Sequence, residues 1–231
     1  MKITWAIFTK QAKDMFKNPM VLVMFIVFPV VAFVMTQLVA TSNDDTPNNM
    51  FVTMMAAIFA GMCLITSAAG YIAEDIESKS LRFLILAGVK PHQYLLGTGG
   101  FLLLAGTVTS VLFALIGDFT ATETLKFLII MITGTAASII LGTSIGMLSK
   151  NQQAATSLGM PVAMLLGFSP MIATFNETVE KFAGIFYTQQ INVIVNDFSI
   201  GLLRPLLVIL ANIIVFTALF VAAYRMKGLK G

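Results

Sequence analysis

The stretch 74-EDIESKSLRFLILAGVKPHQYLLG-97 is the substantial charged segment set between two long apolar runs, about 50–72 before it and about 94–116 after it. Glu74, Asp75 and Glu77 gather at its start, and Lys79, Arg82 and Lys90 follow. Acids in a first turn and bases later complement a helix macrodipole. Leu81, Leu84, Ile85 and Gly88 fall at the i, i+3, i+4, i+7 spacing of one helical face. The segment reads as a short amphipathic helix over 74–90, outside the hydrocarbon, broken by Gly88 and Pro91 before the next apolar run. The rest of the chain then reads as scaffolding that holds this helix out for a partner.

The composition supports that division. Of 231 residues, 58% are hydrophobic and 11% charged, and the mean hydropathy is +0.91. A soluble domain carries roughly 25% charged residues, so the chain reads as one all-α integral membrane domain over 1–231. The net charge of +3 is too small and too scattered to point to nucleic acid. The single Cys63 builds no disulfide framework, and the single His92 excludes a multi-histidine metal site. No G-x-x-x-x-G-K-[ST] loop occurs, so no nucleotide or other cofactor is expected in this chain. The N-terminus does not read as a cleavable signal, because polar-rich residues precede an apolar run long enough to span.

Residues 1–19 place Trp5, Phe8, Ala12, Met15 and Phe16 at helical spacing, with Lys2, Lys10, Lys13 and Lys17 on the other face. That pattern predicts a basic helix lying in the membrane interface, in contact with lipid. Asn18-Pro19 then turns the chain into the first of six spans, expected at about 20–39, 50–72, 94–116, 125–148, 154–173 and 204–224. Pro29 falls inside the first, and an acidic loop with Asp44 and Asp45 follows it. Asp118, Glu123 and Lys126 mark the loop before the fourth, and Pro161 and Pro170 predict a bent or interrupted fifth.

Small residues recur every four positions in the third span (Gly106, Ser110, Ala114) and the fourth (Gly134, Ser138, Gly142, Gly146). Such stripes let a second backbone come close, from this chain or from another copy. Residues 174–203 mix Glu177, Glu180, Lys181 and Asp197 with an apolar majority. They predict a re-entrant or interfacial pair of short helices. With the N-terminus inside, eleven of the fourteen cations face the cytoplasm, and Lys126, Lys181 and Arg204 face out. Positive charge favours the cytoplasmic side, so residues 74–90 and both termini are expected there.

No ionisable residue falls near the middle of a span, which counts against an ion-coupled carrier and an intramembrane hydrolase. Ser67, Thr107, Ser110, Ser138 and Ser144 read as interhelical hydrogen-bonding groups. The fifteen methionines read as apolar filling, with a pliable lining for amphipathic cargo as the sharper alternative. His92 reads as a surface residue at the membrane face. Glu74 and Glu77 read as partners for Lys or Arg on a neighbouring helix or protein rather than as an acid–base pair.

Taken in order, these features resemble the permease subunits of type-2 ATP-binding-cassette (ABC) transporters. The residues that carry the resemblance are Asp75, Glu77, Ser80 and Leu81, then Leu84, Leu86, Val89 and Tyr94-Leu95-Leu96-Gly97. It extends from Phe16-Lys17-Asn18-Pro19 to Pro161, Pro170 and the apolar segment before the sixth span. Three positions depart from the family pattern: Ile76 replaces a base, Lys79 a glycine, and Thr98 a terminal lysine.

The resemblance implies that residues 74–90 are a coupling helix docked on a separate ATPase, with Glu74, Asp75, Glu77, Ser80, Leu81, Arg82 and Leu84 at the contact. It implies two ATPase subunits, which bind ATP and Mg, and a second permease copy, identical or not. Location in a bacterial cell membrane and export of a hydrophobic or amphipathic peptide, antibiotic or lipid would follow. Two other classes stay open on the residues themselves: an ATP-independent channel or carrier, and an immunity or sensor protein that binds a peptide without moving it.

Overall fold

The computed structural model describes residues 2–17, 19–39 and 49–229. The Asn18 turn, the loop with Asp44 and Asp45, and Lys230 lie outside the described residues. The chain is all-α. Helix α1 (Lys2–Lys17) precedes α2 (Pro19–Leu38); α3 (Met50–Ile58) and α4 (Leu64–Glu77) join through a π-helical turn, Phe59–Cys63, into one rod. Then come α5 (Ser80–Leu86), α6 (Pro91–Ile116), α7 (Ala121–Leu148) and α8 (Gln152–Ala173). Two short helices, α9 (Glu177–Ala183) and α10 (Tyr187–Asn196), lead to α11 (Leu203–Leu229). Among the described residues six segments are long and apolar enough to cross a membrane: α2, the α3–α4 rod, α6, α7, α8 and α11.

Several helix ends fall outside the expected bounds, each for a local reason. α6 begins at Pro91, whose fixed φ suits a first helical position, and the Gln93 side chain accepts from the Lys90 N–H at 3.0 Å. α7 begins four residues earlier than expected, because Thr120 and Glu123 form a reciprocal capping box. Glu123 and Lys126 are therefore helical residues, not loop. α8 runs unbroken through Pro161 and Pro170 from an Asn151 cap that accepts from the Ala154 N–H at 2.8 Å. The expected interruption is absent.

Segment 174–203 folds as two helices of unlike burial. α9 is mostly exposed, whereas Thr188, Gln189, Gln190 and Asn192 of α10 are buried with its apolar residues. α10 packs among α3, α7 and α11. On α1 the inward line is Ile7, Gln11 and Met15, with Phe8 and Ala12 half-buried. Trp5 and Phe16, expected on the same face, are exposed. The register is tilted toward Ile7 because α1 lies on Gly97 of α6, where a Cβ would come within 2.7 Å of Ile7.

The bundle is centred on α7, against which α4, α6 and α11 pack. Its small-residue stripe is used within this chain. A Cβ at Gly142 would lie 2.4 Å from the Ile65 carbonyl oxygen, and one at Gly146 would lie 2.7 Å from that of Ala69. Gly134 faces Ile191 of α10, and the Ser138 hydroxyl lies 2.8 Å from that of Tyr187. Backbones this close gain dispersion contacts where lipid supplies no hydrophobic drive.

Gly142→Val should therefore abolish stable folding or cost at least the ~1–3 kcal/mol typical of overpacking. Gly70, whose Cβ would meet nothing within 4 Å, is the control: Gly70→Ala should be neutral or raise the melting temperature slightly. Thermal unfolding of the two variants in detergent compares them directly.

Candidate coupling surface

The charged segment is not one helix. α4 continues to Glu77, Lys79 adopts a left-handed φ of 60°, and α5 covers only Ser80–Leu86. The chain then stops on Gly88, at φ 80°. The Gly88 N–H donates to the Ile85 carbonyl at 2.9 Å and the Val89 N–H to that of Leu84 at 3.1 Å. This is the paired-bond helix stop that a left-handed glycine permits.

The acids thus end a helix rather than begin one, against the macrodipole expectation. Their neighbours explain it. Glu77 accepts from the Gln152 N–H at 3.1 Å, and the Gln152 side chain lies 3.5 Å from Glu74. These carboxylates lie at the N-terminus of α8, where helix dipole and free N–H groups favour negative charge.

Asp75 faces the opposite way. It is 1% exposed, and its carboxylate gathers donors from three elements. Lys10 of α1 forms an ion pair with Oδ1. Gln11 Nε2 donates to Oδ2 at 3.3 Å, Tyr94 Oη of α6 donates to Oδ2 at 2.7 Å, and Ser80 Oγ of α5 donates to Oδ1 at 2.8 Å. A buried carboxylate is tolerated only when paired and hydrogen-bonded, and here its oxygens are covered. Lys10 also approaches Asp14 at 3.8 Å.

Below α5 lies a compact apolar cluster. Leu81 packs with Ile7, Ile72, Val89, Tyr94, Met147, Phe220 and Tyr224, and Leu84 and Ile85 border it. The Tyr224 hydroxyl donates to the Val89 carbonyl at 2.8 Å, tying α11 to the end of the segment. α5 is thereby seated on α1, α4, α6, α7 and α11 together.

The residues expected at a partner contact divide accordingly. Glu74, Glu77 and Arg82 are exposed, Ser80 and Leu84 are half-buried, and Asp75 and Leu81 are buried inside this chain. Two residues outside the expected contact set stand outward: Phe83 is 69% and Leu86 71% exposed. The signal for them is an apolar excess over one helical face; five of the seven residues of α5 are apolar, more than a seven-residue helix can bury on one side.

Six candidate spans, with a short helix standing between the second and third, fit the permease class of membrane protein. Residues 18–226 match the family described as ABC-2 family transporter protein, and the chain belongs to that family. It is a multi-pass membrane protein and a transport subunit, of a family that works with an ABC ATPase. No curated protein sequence matches it.

Tyr94→Phe removes a hydrogen bond to a buried carboxylate and should cost about 1.5–3 kcal/mol. Glu74→Gln, at an exposed position, should change stability by less than ~0.5 kcal/mol. A melting temperature clearly lower for the first than for the second checks the assignment of Asp75 to the interior.

Proposed function

We propose that this chain is the membrane-spanning subunit of a bacterial ABC exporter, in the cell membrane with both termini cytoplasmic. Two copies, or this copy and a related one, work with two ATPase subunits that bind ATP and Mg. The observation that carries the reading is the outward pair Phe83 and Leu86 on a helix whose other face is already filled. The cation count of the loops supports a cytoplasmic position for that helix. Large apolar side chains displayed there, beside Arg82 and the Glu74 and Glu77 carboxylates, suit a groove on another protein.

Asp75, Leu81 and Ser80 then act from inside. Asp75 and Leu81 hold α5 on α1 and on the cytoplasmic ends of α4, α6, α7 and α11, so a push on Phe83 and Leu86 moves those ends together. Cargo is hydrophobic or amphipathic, of the peptide, antibiotic or lipid kind, a reading supported by spans without a central ionisable residue. Outward direction is part of the same proposal.

Phe83→Asp combined with Leu86→Asp should weaken co-purification of the cognate ATPase by at least about tenfold, the loss expected when buried anchors are removed. The detergent melting temperature should change little, because both side chains are exposed in the permease alone. ATPase capture at the unaltered level would overturn the docking assignment. Solute flux through the purified permease in liposomes, with no ATPase present, would favour the channel reading instead.

A further inference from the structure

The outer side of α1 carries an open groove of about 580 Å³ that meets the coupling surface only at Lys10 and its neighbour Asp14. Trp5, Thr9, Lys10, Lys13, Asp14 and Lys17 line it. Trp5, Thr9, Lys13 and Lys17 repeat every four residues, so they form one strip along the helix. Three cations face one carboxylate there, and Lys10 and Asp14 are themselves within 3.8 Å, which leaves Lys13 and Lys17 to set the sign of the strip.

The same helix exposes Trp5 (68%), Phe16 (75%) and Ile3 (43%), and Trp5 stacks on Phe8 at 5.3 Å. Phe8 in turn meets Phe101 edge-on at 5.7 Å, and Ile7 lies on Gly97. α1 is therefore fastened to the first three turns of α6, one of the candidate spans, near the end where headgroups are expected. A soluble anion would satisfy the lysines but leave the tryptophan and phenylalanine in water. A phospholipid satisfies both, with its phosphate and headgroup against the lysines and its acyl boundary against the aromatic rings.

We propose that this strip is a binding site for anionic phospholipid headgroups, and that occupancy reaches the coupling segment through the Lys10–Asp75 pair. Lys10 lies at the junction: it lines the groove and holds the carboxylate to which Ser80 of α5 and Tyr94 of α6 are also bonded. Lipid that seats α1 steadies Lys10, and so steadies the platform beneath Phe83 and Leu86. The site itself needs no ATPase; its effect on ATP hydrolysis rests on the function proposed above.

The chain's single tryptophan, Trp5, reports on the groove directly. The purified permease is reconstituted in phosphatidylcholine–phosphatidylglycerol bilayers in which one or the other lipid carries brominated acyl chains. Brominated phosphatidylglycerol should quench Trp5 in clear preference, by about fivefold per engaged lysine, and Lys13→Gln with Lys17→Gln should erase the preference. Equal quenching by the two lipids overturns the site.

The second arm uses the permease with its cognate ATPase in nanodiscs. The ratio of ATPase rates in the mixed lipid and in pure phosphatidylcholine should exceed one in the native complex. It should fall to about one in Asp75→Asn and in Lys10→Gln, while the Trp5 quenching preference of Asp75→Asn persists. An unchanged ratio in both variants overturns the Lys10–Asp75 route. A failure of the ATPase to bind at all strikes the proposed function and leaves the quenching result standing.

Discussion

The carboxylate of Asp75 is the interaction on which the α5 end of this bundle depends. A charge at 1% exposure is costly unless its oxygens are matched, and the match here draws on α1, α5 and α6 at once. Helices α1, α5 and α6 are thereby fixed to the end of α4. Remove the carboxylate and each donor loses the reason for its position. The apolar cluster around Leu81 and Tyr94 seals the arrangement from the other side.

That constraint explains how a helix of seven residues can be held rigidly. Alone, such a helix is too short to be stable in water. α5 is instead clamped at both ends, by Ser80 on Asp75 and by the Gly88 stop with Tyr224 on the Val89 carbonyl. A rigid seat is what the coupling role proposed for α5 requires, since a flexible one would absorb the displacement. Farther into the bundle, the Gly142 and Gly146 contacts keep α4 and α7 in register, so the two ends of the α3–α4 rod answer to different partners. The π-helical turn between them sits where Gly61 meets Gly167 of α8, so close that a Cβ on Gly61 would lie 2.6 Å from the Gly167 Cα.

Much of the fold was legible because hydrophobicity is read locally. Six apolar runs gave six spans, and the Gly134-to-Gly146 stripe announced a close contact. Some errors were avoidable: Thr120 and Glu123 have the spacing of a capping box and could have moved the start of α7. The unbroken course of α8 through two prolines was missed although part of its compensation is local: the Leu166 carbonyl freed by Pro170 accepts from the Ser169 hydroxyl at 3.3 Å. The candidate site fared worst. Asp75 differs from Glu74 and Glu77 by rotation about one helix, and a rotation of about 100° per residue separates a solvent-facing acid from a buried one.

The amino-acid sequence by itself determined the class of molecule: a multi-span all-α protein with its charge concentrated in short connections, since composition and run length decide what a bilayer accepts. It also marked the segment from Glu74 to Gly97 as the place to look. Only the tertiary structure decided which residues of that segment face inward. Asp75 and Leu81 belong to the interior because Lys10 and Gln11, more than sixty positions earlier, and Tyr94 and Tyr224, later in the chain, converge on them. No local pattern records a meeting of such distant residues, because burial of a charge is set by the partners that packing brings to it.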